Sequence, residues 1–356
     1  MAAAPAPFGV YLHIPFCASK CDYCAFATWT DRHHLTDAYL AALRHDIGRA
    51  VDAGMPTATS IFVGGGTPSM VDGVALADVI GLVPVTPGAE VTVECNPDDV
   101  SDELLESYRS AGVNRISLGV QSMSSHVLGA LGRRHDQRNV RLAVDSIRRV
   151  GMTSFNLDVI YGAAGESLDD WRHTVEAIVE LEPPHVSAYA LTIEAGTPLA
   201  DQPDRHPDDD DQADKYELVD DRLESSGLSN YEISNWSRPG HDCRHNVLYW
   251  RQENYRGFGC AAHSHLDGRR WWNVRTPDRY IDLVEGGQPT EAAGETLDHA
   301  TRRFERLELQ LRMPDGVPVD ALDGDQLPGL VERRGDRWVL TRRGRLMANE
   351  ISTRLT

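Results

Sequence analysis

Three cysteines within eight residues, in Cys17-Ala18-Ser19-Lys20-Cys21-Asp22-Tyr23-Cys24, constrain this chain more than any other stretch. Thiolates at x3 and x2 spacing on one loop can each hold one iron of a cubane [4Fe–4S] cluster. The fourth iron then has no protein ligand and is open to a small molecule. Zinc is the competing metal. A structural zinc site needs four protein ligands, and no second Cys or His pair at zinc-ligand spacing lies close by to complete the tetrahedron. Three unrelated buried cysteines are the remaining reading, an uncommon one at this spacing.

The other three cysteines, Cys95, Cys243 and Cys260, are scattered, so the six do not form a disulfide framework. That pattern suits a reducing compartment in which thiolates stay available to iron. No apolar run approaches the ~18 residues that a membrane span needs, and Met1 to Phe8 is too short for a secretory signal. A cytoplasmic protein with no transmembrane segment is therefore expected. The net charge of -19 disfavours a nucleic-acid or anionic-membrane binder, because no basic stripe is evident. Small molecules and proteins are the expected partners.

A chain of 356 residues is long enough for one large domain and a smaller unit. Gly9 to Ile14 reads as a first strand that ends at Pro15 and delivers the cysteine loop, and Asp31 to Ala53 reads as a helix ending at Gly54. Strand candidates recur at 60–63, 91–94, 115–120, 154–160 and 186–191, each followed by a helical or turn-rich stretch. This alternation predicts an α/β fold with a parallel sheet, open or rolled into a partial (β/α)6 TIM-like barrel, whose chemistry sits at the C-terminal ends of the strands. Residues 1–8 would be a disordered tail and 9–200 the barrel core. Residues 201–300 would form a connector and extension. Within it, 201–214 reads as an exposed linker, its four-aspartate run a solvated face, and 231–272 as aromatic and loop-like. Residues 301–356 would be a winged-helix-like module, with a hairpin turning at Gly335-Asp336 and a closing helix from Thr341 to about Arg354.

The cysteine spacing resembles the signature of radical SAM proteins, in which S-adenosylmethionine (SAM) chelates the open iron. The flanking HIPFC and KC-x-YC narrow the likeness to the branch holding oxygen-independent coproporphyrinogen III oxidases and HemW-type heme chaperones. The resemblance implies Cys17, Cys21 and Cys24 as cluster ligands and Tyr11 as a SAM-side residue. Gly64-Gly65-Gly66-Thr67-Pro68-Ser69 could be a tight turn, yet three glycines also let backbone N–H groups approach a ligand. It resembles the glycine-rich SAM segment, which singles out Gly65, Gly66 and Thr67. Glu94, before Pro97, sits where a strand would deliver a carboxylate to ribose hydroxyls. The resemblance adds Gln121, Arg133 as partner of the SAM carboxylate, Asp158, and Ala190 behind the adenine.

In the second half, His245-Asn246-Val247-Leu248-Tyr249-Trp250 matches the HNxxYW segment that marks the chaperone branch. Residues 257–264 resemble its glycine-rich turn, with Ala261-Ala262-His263 in place of a Gly-Ala-His core. A histidine flanked by aromatics can ligate heme iron while the rings pack on the macrocycle, although such histidines also serve as satisfied core residues. His245, Asn246, Tyr249 and Trp250 are the expected heme contacts. Oxidase-type sequences continue CxxC-x-C, whereas Cys24-Ala25-Phe26 puts phenylalanine at the last cysteine's place. Their long N-terminal extension also has no counterpart before the first strand. The expected function is thus heme binding and transfer to an acceptor protein, such as a membrane-bound respiratory enzyme, with a homodimer as one expected assembly. The alternatives are a coproporphyrinogen oxidase, which would remove CO2 from propionate side chains, and a radical SAM heme-degrading enzyme.

Overall fold

The computed structural model describes residues 6–356. Residues 1–5 of the expected tail lie outside the described residues, and Phe8 already opens a strand. The first half runs β1 (Phe8–Ile14), α1 (Thr36–Asp52), β2 (Ala58–Gly65), α2 (Gly73–Ile80), β3 (Val85–Cys95), α3 (Asp102–Ser110) and β4 (Arg115–Gln121). It continues through α4 (Ser125–Ala130), α5 (Gln137–Arg149), β5 (Ser154–Tyr161), α6 (Leu168–Glu180) and β6 (His185–Ala190). β1 to β6 pair in sequence order, all parallel. This is the partial TIM-like barrel that the alternating pattern implied.

Side-chain alternation explains how the sheet is clothed. Val10, Leu12, Ile61, Val63, Val91, Val93, Ile116, Leu118, Leu157 and Val186 face the helices in one continuous core with Leu40, Leu43, Leu76, Val144, Trp171 and Ile178. The intervening residues form the other, concave face, and the register sets them side by side: Ser60 by Glu90, Thr92 by Arg115, Glu94 by Ser117, Asn156 by His185. That face is polar and mostly buried, and most of its groups bond one another; among the described residues Thr92 Oγ1 and Arg115 Nε have no hydrogen-bond partner. Ser117 donates to Asp158 (2.7 Å), Asn156 Nδ2 bonds both Ser117 and Asp158 (2.8 Å each), and His185 Nδ1 meets Asn156 Oδ1 at 2.7 Å.

The stretch expected to be loop-like instead extends this sheet at both edges. After α7 (Asp209–Ser225) come β7 (Ser229–Glu232), β8 (Asn235–Ser237), α8 (Arg244–Trp250), β9 (Asn254–Phe258), β10 (His263–Leu266), β11 (Arg269–Asn273), α9 (Pro277–Glu285) and β12 (Glu291–Thr296). Among the described residues they complete a twelve-stranded sheet in the order β12-β11-β10-β9-β1-β2-β3-β4-β5-β6-β8-β7. β9 lies parallel to β1, while β10 to β12 and β7 to β8 are antiparallel additions. Strands of three to five residues carry too little alternation to be read from sequence. The aspartate run belongs to α7 rather than to a linker: Asp208 caps the helix by accepting from Asp211 N, and Asp209 to Asp211 fill its first turn, where negative charge is favourable.

The last segment, α10 (His299–Leu311), β13 (Val317–Pro318), β14 (Val331–Arg334), β15 (Arg337–Leu340), α11 (Arg342–Leu346) and α12 (Ala348–Ser352), has its own core around Leu311, Val317, Leu322 and Ile351. The β14–β15 hairpin turns at Gly335-Asp336, as the sequence indicates. The closing helix is broken in two at Met347, which has non-helical dihedrals. No helix is long and apolar enough to cross a membrane among the described residues.

Three carboxylates of α7 pair with this segment: Asp221 and Glu224 meet Arg342 at the surface, and Asp220 does so in the interior. Asp220 has no exposed surface, yet it accepts from Trp236 Nε1 (2.8 Å), from Arg345 (2.8 Å) and from Arg342. Removing one partner of a buried ion pair leaves uncompensated charge. Asp220→Ala should therefore destabilise the chain by about 3 kcal/mol, read as a lower denaturation midpoint; an unchanged midpoint would show that the latch carries no load.

Candidate functional site

The cysteine loop leaves the C-terminal end of β1 and is tied down at both ends. Trp29 N donates to Pro15 O (2.8 Å), and Cys17 N donates back to Trp29 O (3.1 Å). Farther out, Leu199 N bonds Asp22 O (3.0 Å) and Arg205 reaches the Asp22 carboxylate (2.5 Å). Cys17, Cys21 and Cys24 are all free thiols and partly exposed, whereas Cys95, Cys243 and Cys260 are free and buried. No group of three His, Cys, Asp or Glu among the described residues gathers around a single ion. A cubane takes one thiolate per iron and does not require its three cysteines to meet at one point.

Burial pushes the Cys17 and Cys24 thiols up, while the Thr67 hydroxyl, 3.7 Å from Cys17 Sγ, pulls Cys17 the other way. Bound iron would reverse the shift, because metal binding releases the thiol proton. The donor set therefore fits an iron–sulfur cluster: three free, partly exposed thiols on one anchored loop beside a hydroxyl donor.

The glycine segment packs directly under this loop. Gly66 N donates to Ile14 O (2.7 Å) and Thr67 N to Phe16 O (2.8 Å). A Cβ on Gly66 would lie 2.5 Å from Phe16 O, so only glycine permits the approach. Gly65 has φ +113°, and a Cβ there would sit 2.4 Å from His13 Nδ1. His13, whose Nε2 meets Ala27 O at 2.9 Å and whose Nδ1 accepts from Tyr11 (3.0 Å), is buried between strand and loop. Burial holds its pKa down at about 4. His13, the histidine of HIPFC, thus ties β1 to the far side of the cysteine loop through its bond to Ala27.

Next to this segment, Glu94 Oε2 accepts from Gly65 N at 3.1 Å. Burial, and then the nearby Asp158 carboxylate, raise the Glu94 carboxyl to about 8. Asp158 is also raised by burial, against the opposing hydrogen bonds of Ser117 and Asn156. Tyr11 rises too, from burial and then from Glu94, which places it in the same group. The structure thus brings Tyr11, Gly65, Gly66, Thr67, Glu94 and Asp158 to the upper concave face beside the cysteine loop.

Gln121 and Arg133 join them from the rim. Gln121 ends β4 at a register shift against β5 with φ 63°, a strained geometry for a residue with a Cβ. Arg133 donates to Asn96 Oδ1 (2.5 Å) and Gly119 O (3.1 Å), whereas Arg134 is exposed. Asn96, in the Glu94-Cys95-Asn96-Pro97 turn, is the partner that sequence reasoning missed. Ala190 ends β6 opposite Tyr161.

The HNxxYW segment is placed elsewhere. It forms α8, whose first amides point at the concave side of β3: Arg244 N and His245 N donate to the two oxygens of Glu90 at 3.1 and 3.2 Å. His245 is buried, its Nδ1 against Ser60 Oγ and its Nε2 against Tyr249 OH, both at 2.9 Å. It stacks on Phe62 with ring centroids 5.5 Å apart, and burial lowers its pKa to about 3. In this geometry both ring nitrogens of His245, expected as a heme contact, are engaged inside the protein. Tyr249 packs edge-on against Tyr255, and Trp250 lies under the Arg312 guanidinium at 4.6 Å; these two are also packing residues in this geometry. Asn246 is half-buried on the same short helix.

The Radical SAM superfamily model matches residues 11–178, from Tyr11 in β1 into α6. A heme chaperone HemW of Mycobacterium tuberculosis is 41% identical, covering 97% of this chain and 94% of that protein. Those of Escherichia coli and Bacillus subtilis are 34% and 33% identical, covering 97% and 96% of this chain and 97% of each relative. The chain belongs to the HemW family. Its fold is shared with coproporphyrinogen III oxidase of Escherichia coli, a radical SAM enzyme: TM-score 0.84 at 22% identity, over 98% of this chain and 89% of the other.

Gly66→Ala would push Phe16 and so the cysteine loop out of place; the expected result is loss of most iron and sulfide uptake on anaerobic reconstitution with an unchanged circular dichroism spectrum, whereas full uptake would contradict the close-approach argument. Because the folded chain retains a proton on Glu94 that the unfolded chain gives up, this site's stabilisation is full below the ordinary value of 4.5 and is lost as pH rises through about 8. Glu94→Gln in the apo chain should flatten the decline of Tm across that window, and parallel wild-type and variant curves would refute the shift.

Proposed function

We propose that the chain is a heme chaperone that binds heme and passes it to an acceptor protein, with a [4Fe–4S] cluster and SAM held at the upper concave face. The observation that carries this reading is kinship along nearly the whole length with proteins named heme chaperones. Cys17, Cys21 and Cys24 would hold the cluster. When bound, such a cluster supplies one iron free of protein ligands, open to the amino and carboxylate groups of SAM. The backbone of Gly65 and Gly66 and the Thr67 hydroxyl would line the methionyl end, and Arg133 would fork onto its carboxylate. Glu94 and Asp158 would accept from the ribose, with Tyr11, Gln121 and Ala190 closing the pocket.

Two features support the chaperone over the oxidase. Phe26 stands 66% exposed on the cysteine loop, at the position of the further cysteine of oxidase-type sequences. The HNxxYW segment builds α8 on the concave side. The proposed setting is the cytoplasm, the proposed acceptor a heme-requiring protein such as a membrane-bound respiratory enzyme, and the proposed assembly a homodimer.

Reconstituted anaerobically with iron, sulfide, SAM and a reductant, the chain should bind heme and deliver it to an apo-acceptor while forming no protoporphyrinogen from coproporphyrinogen. Steady coproporphyrinogen turnover without heme delivery would replace this reading with the oxidase.

A further inference from the structure

We propose that His263, on the concave face of the sheet extension, is the residue that ligates the heme iron, with Trp272 as the wall that fixes its ring. This rests on the chaperone reading and names the cargo site within it. The cargo is an iron porphyrin, whose metal takes a neutral imidazole as axial ligand.

Strand register decides which side chains share a face. Tyr11 pairs with Gly257 and Gly9 with Tyr255 across β1 and β9, so Tyr255 and Gly257 lie on the polar concave face. His265 pairs with Tyr255, His263 with Trp272, and His265 with Arg270, which puts His263, His265, Arg270 and Trp272 on that same face. The opposite face of β11 carries Trp271 and Arg269, stacked on each other on the side of α1.

Five histidines lie on or against the concave side or its upper rim, and four are fully engaged. His13 is held by Tyr11 and Ala27, and His185 by Asn156 and Tyr231. His245 is held by Ser60 and Tyr249, and His265 by Glu253 O and Gly268 N. All four are buried. His263 differs in every respect: it is exposed, and neither ring nitrogen has a hydrogen-bond partner among the described residues.

The imidazole is nonetheless fixed in direction. It stacks on Trp272 at 5.6 Å between ring centroids and 27° between planes. The backbone beneath it is anchored by Asn273 N to Ala262 O (3.0 Å) and by Gly257 N to Ser264 Oγ (3.0 Å). Partial burial, and then Arg270, hold its pKa below the ordinary value, so it stays neutral and able to donate its lone pair. An indole beside an open imidazole also offers a flat apolar surface to a porphyrin edge. A buried histidine with both nitrogens satisfied would have to give up one of its hydrogen bonds and its packed setting first, whereas His263 gives up neither.

The test uses the full chain, anaerobically reconstituted, titrated with ferric heme and followed by absorbance and electron paramagnetic resonance. His263→Ala should change the ligand-field spectrum of bound heme and weaken binding by on the order of tenfold or more, and added imidazole should restore the wild-type spectrum. Trp272→Ala should weaken binding while leaving the imidazole-ligated spectrum in place. An unchanged spectrum and affinity in His263→Ala, with heme bound normally by the wild type, would overturn this assignment and leave the chaperone reading standing. Failure of the wild-type chain to bind heme at all would overturn both.

Discussion

A buried carboxylate on the third strand sets the shape of the interior. Glu90 is 6% exposed and takes two backbone N–H groups at the start of α8, with the Arg115 guanidinium 3.9 Å away on its other side. A carboxylate at a helix N-terminus meets both unpaired amides and the positive end of the dipole. The result is a helix seated inside the partial barrel rather than on its surface. His245 and Tyr249 then fill the lower part of the concave face, and the space left above them lies beside the cysteine loop. Everything assigned to cofactor or cargo sits in that upper part.

A parallel barrel sheet commonly hides apolar side chains on both faces. Here one face is apolar toward the helices and the other is a hydrogen-bonded polar lattice running from Ser60 to Ser187. Most of its members are paired and so hold one another in place, while Thr92 Oγ1 and Arg115 Nε have no hydrogen-bond partner among the described residues. The paired part of the lattice fixes the two raised carboxylates, Glu94 and Asp158, relative to the strand ends that carry the cysteine loop. The strain at Gln121 and the close approaches at Gly65 and Gly66 fall where the chain leaves the lattice for the rim.

Much of this was legible in the residues. β1 to β6 were visible because buried parallel strands leave apolar runs bounded by glycine and proline, and the cysteine and glycine segments fell at strand ends as βα units require. The Gly335-Asp336 turn was equally plain. What escaped was set by tertiary context. The short strands β7 to β11 owe their pairing to existing sheet edges and not to their own pattern. The aspartates at 208–211 looked like a solvated linker because helix capping and linkers share a composition. His245 could be read as a heme contact or as a core residue, because an aromatic-flanked histidine has the same sequence in either setting; its bonds to Ser60 and Tyr249 are visible only in the fold.

The two histidine-bearing signatures of the second half therefore differ in setting: one is packed inside as α8, and the other lies on an open surface around the 257–264 turn and β11. Hydrogen exchange measured on the reconstituted full chain with and without ferric heme tests that division most directly. The expected result is slow exchange in α8 in both states and new protection at 259–274 when heme binds. Heme-induced protection confined to α8, with 259–274 unchanged, would contradict it.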